Sequence, residues 1–113
     1  MDFVIEVYQL TKTLPPEEKY GLGSQMQRAA VSVPSNIAEG HGRKSTKVYL
    51  NHLSMAHGSL MELETQLEIA HRLKYIGASQ YGSLRDKAGE IGRMLNALQN
   101  SLSSKDKPLN PDS

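Results

Sequence analysis

The hydrophobic positions of the chain recur at alternating intervals of three and four residues, which is the period of one face of an α-helix. Four segments follow this pattern, and prolines or glycines separate them. The pattern therefore predicts an all-α protein with four helices. In the first helix, between Met1 and Leu14, the stripe that faces the core consists of Phe3, Val7, Leu10 and Leu14.

The second helix is expected to begin between Pro16 and Ser24 and to end near Glu39. Pro34 lies in its interior and lacks the amide hydrogen of a helical hydrogen bond, so we predict a kink there. The glycines of the segment 40–42 are expected to end the helix, because glycine adopts the left-handed cap conformation without strain. The predicted core stripe is Met26, Ala29, Ala30, Val33 and Ile37.

The third and fourth helices have longer stripes. We expect Ser45 and Ser79 to cap their N-termini, and Gly89 and Gly92 to let the fourth helix approach a neighbour closely. The stripe of the third helix is Tyr49, Leu53, Ala56, Leu60, Leu63, Leu67 and Ala70, and that of the fourth is Leu84, Ala88, Ile91, Leu95, Leu98 and Leu102.

Short connections between successive helices favour antiparallel neighbours, so the predicted architecture is an up-down-up-down four-helix bundle with a Pro-kinked second helix. We expect a single domain over residues 1–102 and a disordered tail over residues 103–113, where two prolines interrupt a segment without apolar periodicity. The first helix is much shorter than the third, so one side of the bundle should be half covered. Either a partner chain or residues upstream of Met1 would fill that gap.

The composition of the chain excludes several classes of protein. The chain has 13 basic and 12 acidic residues, so any attraction for nucleic acid must come from local clusters of charge. It contains no cysteine, which excludes disulfides and thiolate chemistry and is typical of a reducing cytoplasm. No segment is long and apolar enough to cross a membrane, and the N-terminal residues lack the pattern of a secretory signal. We therefore expect a cytoplasmic protein.

The clearest cluster of charge stands at the expected start of the third helix, where Arg43, Lys44 and Lys47 follow Gly42. Free helix amides already favour an anion at such a position, so a phosphate group could bind there. Ordinary surface cations beside a loop are the alternative interpretation. No aromatic residue interleaves these cations, so a base-stacking surface is not indicated.

Glu68 and His71 have the Glu-x-x-His spacing of carboxylate-bridged di-iron bundles, and Glu64 lies one turn earlier. Such a site requires a second copy of the motif, and the sequence contains none. A solvated helix face is the alternative interpretation. A metal-dependent enzyme centred on these three residues is kept as a third hypothesis only, and we predict no metal, no other cofactor and no enzymatic activity.

Three stretches of the sequence carry a resemblance to a known family: Lys19-Tyr20-Gly21-Leu22, Arg28-Ala29-Ala30-Val31-Ser32-Val33-Pro34-Ser35-Asn36-Ile37-Ala38-Glu39-Gly40, and Glu62-Leu63-Glu64-Thr65-Gln66-Leu67. They resemble the intervening-sequence proteins, bacterial four-helix bundles first associated with insertions in 23S ribosomal RNA genes. The resemblance implies a bundle that assembles into a ring of five subunits and has no established enzymatic activity. Family members usually carry further residues before the segment that begins at Phe3.

Within the second stretch the expected roles are mostly structural. Pro34 kinks the helix, Ser35 and Asn36 form hydrogen bonds with the backbone near the kink, and Gly40 caps the helix. Arg28 and Glu39 are eleven residues apart, which places them on one face of the helix, where they could contact another subunit or a ligand.

Two functional hypotheses stand beside the metal enzyme. In the first, a non-enzymatic homo-oligomer, pentameric by resemblance, binds RNA or DNA phosphates through Arg28, Arg43, Lys44 and Lys47. In the second, the bundle is a scaffold or accessory subunit that binds only a protein partner, through the apolar surface of the second helix or the ends of the bundle. Retention of a partner at high salt separates the two hypotheses, because phosphate contacts weaken as salt rises.

Overall fold

The computed structural model describes residues 1–106, and this part of the chain is all-α, with four α-helices and no strand, as the sequence predicts. A short 3₁₀ helix, Pro16–Glu18, connects the first two α-helices. The α-helices are α1 (Asp2–Thr11), α2 (Leu22–His41), α3 (Thr46–Arg72) and α4 (Ala78–Asp106).

The predicted hydrophobic stripes pack into one core. Val7 of α1, Met26 of α2 and Leu63 of α3 are all 0% exposed, and each such side chain contributes about 1.5–3 kcal/mol through its burial. Five residues of the predicted stripes are only partly buried: Ile37, Tyr49, Ile91, Leu98 and Leu102.

Side-chain contacts establish that α3 runs antiparallel to both of its neighbours. Against α2, the Ser59 hydroxyl donates to Ser32 Oγ at 2.7 Å, whereas the earlier residue His52 pairs with the later residue Asn36 at 3.1 Å. Against α4, the contacts follow the same rule, pairing the start of one helix with the end of the other: His71 stacks on Tyr81, and Gln99 donates to Ser54.

The short helix α1 covers only part of the bundle. Lys87 of α4 forms an ion pair with Glu6, and Gln9 lines one cavity together with Gln80 at the start of α4. Gln9 therefore lies nearer the start of α4 than Glu6 does. Since Gln9 comes after Glu6 in α1, the two helices are antiparallel. Met1 is five residues before Glu6, so α1 extends about 8 Å past the ion pair.

One face of α4 is left uncovered beyond α1. The side of α4 that faces α1 at Lys87 continues through Met94, Leu98 and Leu102. These residues follow Lys87 by seven, eleven and fifteen positions, which are about two, three and four helical turns. Met94 is 69% exposed, and within the described residues no Cα atom of α2 lies within 8 Å of a Cα atom of α4. We call these three residues the open face. The half-covered bundle predicted from the helix lengths is therefore confirmed.

The end of α2 differs from the prediction. The helix continues to His41, and Gly42 caps it in a right-handed conformation, with φ −76° and ψ −6°. No glycine among residues 1–106 has a positive φ, so the predicted left-handed cap is wrong. The Gly42 amide donates to the carbonyl of Ala38, which ends the helix without a left-handed residue. The helix passes through Pro34 without interruption, and the kink there stays a prediction.

Two features of α4 also differ. The helix begins at Ala78, so Ser79 lies in its first turn and is not the N-cap that the sequence suggested. The helix continues past Leu102 through Asp106, the last described residue, because residues 103–106 contain no proline or glycine that would interrupt it. The start of the predicted tail is therefore helical, the remaining residues, 107–113, lie outside the described part, and the domain boundary at 102 stays a prediction.

The two glycines inside α4 have different surroundings. A Cβ atom added at Gly92 would lie 3.5 Å from Leu60 Cδ2 of α3, which is an ordinary packing contact. At Gly89 it would meet only Arg93 of the same helix. Neither glycine is therefore required by a close approach of another helix: Gly92 faces α3 at an ordinary packing distance, and the predicted close approach is wrong at Gly89.

Glu18 connects the 3₁₀ helix to the turn between α3 and α4. Its Oε2 accepts a hydrogen bond from the Tyr75 hydroxyl at 3.1 Å, and its Oε1 accepts from the backbone amide of Leu22 at 3.4 Å. The hydrogen bond to Glu18, with burial and the nearby negative charges, raises the pKa of Tyr75 above its usual value near 10. The neutral phenol is therefore the form that stabilises the fold.

Removal of that hydroxyl gives a pH-dependent effect on stability. The contribution of Tyr75 is fully present below about pH 10 and is lost as the pH rises through its elevated pKa. Tyr75→Phe should therefore be less stable than wild type at pH 8, with the difference narrowing in urea denaturation above about pH 10. Tyr20→Phe is the control, since the Tyr20 hydroxyl forms no hydrogen bond within residues 1–106. A difference that stays constant with pH contradicts the role of the Glu18 contact.

Among the described residues, no helix is both long and apolar enough to cross a membrane.

Candidate nucleic-acid interface

The predicted basic cluster lies at the turn between α2 and α3. Arg43, Lys44 and Lys47 are all exposed, and they surround the first turn of α3. Ser45 caps this helix as predicted, because its side-chain oxygen accepts a hydrogen bond from the Val48 amide at 3.3 Å. The cluster is thus held by the start of a well-defined helix.

The charges of the cluster are not equivalent. Arg43 donates to Glu39 one turn earlier at 3.1 Å, and both side chains are about half exposed. Such a surface pair contributes at most about 1 kcal/mol and is easily exchanged for another anion. Within the described part of the chain, Lys44 and Lys47 form no ion pair, so their charges are uncompensated by direct contact.

Arg28 does not join this cluster. It is exposed on α2, fifteen residues before Arg43, which is about 22 Å along the helix axis. Glu39, which shares a face of α2 with Arg28, pairs with Arg43 instead. The structure therefore brings Arg43, Lys44 and Lys47 together and leaves Arg28 apart.

A network of polar side chains fills the contact between α2 and α3 behind the cluster. Asn36 Nδ2 donates to both the carbonyl oxygen and the hydroxyl oxygen of Ser32, each at 2.9 Å. Its Oδ1 therefore accepts from His52 Nδ1 at 3.1 Å, which assigns the ring proton to Nδ1. The predicted backbone bond of Asn36 near Pro34 is confirmed, whereas Ser35 is exposed and forms no such bond among residues 1–106.

Gly40 has a packing role in place of the predicted capping role. It is buried inside α2, and a Cβ atom at this position would lie 2.7 Å from His52 Cβ and 2.9 Å from Tyr49 Cδ1. Real Cβ atoms essentially never come this close to another atom, so only glycine allows the observed separation of α2 and α3. This contact sets the position of the turn that carries the basic residues.

The residues of the metal hypothesis are engaged in other contacts. The His71 ring stacks on Tyr81 with centroids 4.5 Å apart, and Glu68 lies 3.9 Å from Arg72. Within the described residues, no group of three or more histidine, aspartate and glutamate side chains is placed to hold a metal ion. The geometry therefore offers no support for a metal centre at Glu64, Glu68 and His71.

A second basic site, which the sequence analysis missed, lies at the other end of α2. A cavity of about 420 Å³ there is lined by Lys12, Lys19 and Tyr20, and the Tyr20 side chain is 86% exposed. The expectation that no aromatic residue interleaves the cations concerned only Arg43, Lys44 and Lys47, so it does not apply to this end of the bundle. The Lys19-Tyr20 dipeptide between Pro16 and Gly21 was the available signal, since prolines and glycines favour surface turns.

Comparison with known proteins agrees with the fold and its sequence signature. The family described as 23S rRNA-intervening sequence protein matches residues 1–97. A crystal structure of a protein of unknown function from the S23 ribosomal protein family of Bacteroides thetaiotaomicron is 29% identical, with a TM-score of 0.81 over 87% of this chain and 92% of that one. Curated proteins give no match. The chain therefore belongs to the 23S rRNA-intervening sequence protein family.

Proposed function

We propose that the protein is a non-enzymatic homo-oligomer that binds the phosphate backbone of RNA or DNA in the cytoplasm. The observation that carries the proposal is the turn between α2 and α3, where Arg43, Lys44 and Lys47 are exposed together. Net charge cannot attract nucleic acid here, because the whole chain carries only +1. Binding must therefore depend on this local concentration of cations.

The charges of the turn are available to an anionic ligand such as a phosphate. Lys44 and Lys47 have no acidic partner within residues 1–106, and the partner of Arg43 is an exposed glutamate that water screens. Arg28 contacts a separate part of the ligand, since 22 Å corresponds to about six phosphates along one strand of B-form DNA. These contacts to phosphates do not depend on the base sequence of the ligand.

Assembly supplies the affinity that one weak cluster lacks. On the open face, Met94 is 69% exposed and Leu98 and Leu102 are only partly buried, and in the proposal a second copy of the chain covers these residues. Repetition of the cluster around a ring, of five subunits as the resemblance implies, multiplies a weak site without any new contact. The proposed function therefore depends on the oligomer.

Salt dependence tests the phosphate contacts directly. The variant Arg43→Ala, Lys44→Ala, Lys47→Ala should bind a fluorescent oligonucleotide more weakly whatever its sequence. Its plot of log affinity against log salt concentration should be shallower than that of wild type, by about 0.7 for each lost phosphate contact to a single strand. Fluorescence anisotropy over a range of salt concentrations measures both quantities.

The matched control is Arg72→Ala, Arg85→Ala, Arg93→Ala. It also removes three positive charges, but from α3 and α4 and not from the turn. Both the affinity and the slope of log affinity against log salt concentration should therefore stay close to wild type. Wild-type binding that does not change with salt, or an equal loss in the two variants, contradicts the assignment of the turn.

A second candidate function is a scaffold that binds only a protein partner. The open face favours it, because an apolar surface of a helix is also suited to a partner helix. Under this alternative, the protein retains its partner at high salt and retains no oligonucleotide at low salt.

A further inference from the structure

The cavity at the start of α2 has the composition of a ligand site. It lies where the end of α1, the 3₁₀ helix and the first turns of α2 meet, and its volume of about 420 Å³ is within the usual range for small-molecule pockets. Its walls combine two cations, one aromatic ring and uncharged polar groups: Lys12, Lys19, Tyr20, Ser24, Thr11 and Gln27.

Tyr20 presents an accessible aromatic surface beside positive charge. Its side chain is 86% exposed, and Lys19 Nζ lies 5.5 Å from the centre of its ring. Proteins that bind single-stranded nucleic acids combine an exposed aromatic ring with nearby cations. Any base can stack on the ring while the lysines contact the phosphates.

The polar wall of the cavity is held in place. Gln27 Nε2 donates to Thr11 Oγ1 at 2.8 Å, and Thr11 Oγ1 in turn donates to the carbonyl of Tyr8 at 2.7 Å. The Gln27 carbonyl oxygen has no hydrogen-bond partner within residues 1–106, so it is available to accept from a base edge.

The charged side chains that line the cavity are both cations. Lys12 and Lys19 line it, whereas Glu17 and Glu18 do not, and the Glu18 carboxylate accepts hydrogen bonds from Tyr75 and Leu22. A ligand in the cavity therefore meets two lysines and no carboxylate among the lining residues.

We propose that this cavity binds one nucleotide of a single-stranded nucleic acid, with the base stacked on Tyr20 and the phosphate held by Lys12 and Lys19. The inference rests on the proposed function for the class of ligand, but the site is a different one, at the opposite end of α2 from Arg43. It gives the protein a preference for single strands, since the bases of a duplex are stacked on each other and cannot reach Tyr20.

Oligonucleotide binding to Tyr20→Ala tests the inference. At one salt concentration, this variant should bind a ten-nucleotide single strand about 5- to 150-fold more weakly than wild type, which is the measured range for loss of one stacked base. Its affinity for a duplex of the same length should not change. Tyr20→Phe keeps the ring and should bind the single strand within about twofold of wild type.

Tyr8→Ala is the control, because Tyr8 is also on the surface, at 37% exposure, and its side chain does not line the cavity. It should leave single-strand affinity unchanged. The exposure of Tyr20 makes its replacement compatible with folding, which circular dichroism checks. Unchanged single-strand affinity in Tyr20→Ala, or an equal loss for single strand and duplex, overturns the inference.

A titration with AMP separates this inference from the proposed function. If wild type binds no oligonucleotide at all, the proposed function fails, and NMR of the backbone amides around the cavity still decides the inference. AMP should shift the amides of Lys19, Tyr20 and Ser24 more than inorganic phosphate does at the same concentration. Equal shifts for the two probes, or none, overturn the nucleotide site whether or not the turn between α2 and α3 binds nucleic acid.

Discussion

Gly40→Ala is expected to lower the free energy of unfolding by about 1–3 kcal/mol, which is the usual cost of forcing an extra methyl group into a packed core. The direction is opposite to the ordinary rule, since alanine in a helix is normally more stable than glycine by about 1 kcal/mol. The cause is the contact with α3, where the new Cβ atom would lie 2.7 Å from His52 Cβ. That atom is attached to the backbone, so the two helices must separate.

Gly58→Ala is the matched control for this prediction. Gly58 lies inside α3, and a Cβ atom there would meet nothing within 4 Å, so the substitution should stabilise the protein by about 0.5–1 kcal/mol. Urea denaturation of the two variants measures both effects. A Gly40→Ala protein as stable as wild type would mean that α2 and α3 are not held together at this glycine.

Met94→Glu is expected to convert the oligomer to monomers at protein concentrations where wild type is assembled. Met94 is 69% exposed in the single chain, so the substitution should leave the fold of the subunit intact. In the assembly, an unpaired charge buried against a second copy costs on the order of 2–5 kcal/mol. The midpoint of assembly should then move to at least about tenfold higher protein concentration.

Met61→Glu is the control for the assembly prediction. Met61 is 59% exposed, but it lies on α3 beside Glu64 and Tyr81 and is not part of the open face. Sedimentation velocity should find it assembled like wild type. If both methionine variants stay assembled, the open face is not the contact between subunits.

The sequence was sufficient for the helices and their buried stripes because both follow from local periodicity. Val7, Met26 and Leu63 could be assigned to the core from their spacing alone. The short length of α1 relative to α3 could also be read from the sequence, and it predicted that one side of the bundle is half covered, but not that Met94 lies there. Ser45 was predicted correctly as a cap because an N-cap depends on residues within one turn.

Features that depend on a distant partner were not predictable in the same way. Gly40 has the sequence context of a helix cap, and its packing role becomes visible only when His52 of α3 is placed against it. The distance between Arg28 and Arg43 could be predicted from the rise of the helix. The pairing of Arg43 with Glu39 could not, because it depends on the conformations of the two side chains. Tyr20 was overlooked because its exposure depends on how the 3₁₀ helix meets α2.

The most direct test of an oligomer that binds nucleic acid is the absolute mass of the purified protein by light scattering, with absorbance at 260 and 280 nm recorded on the same peak at low and high salt. We expect a mass near five times 12.5 kDa, with co-purifying nucleic acid at low salt that high salt removes. A clean monomer at both salt concentrations, with no excess absorbance at 260 nm, would contradict both the assembly and the nucleic-acid binding.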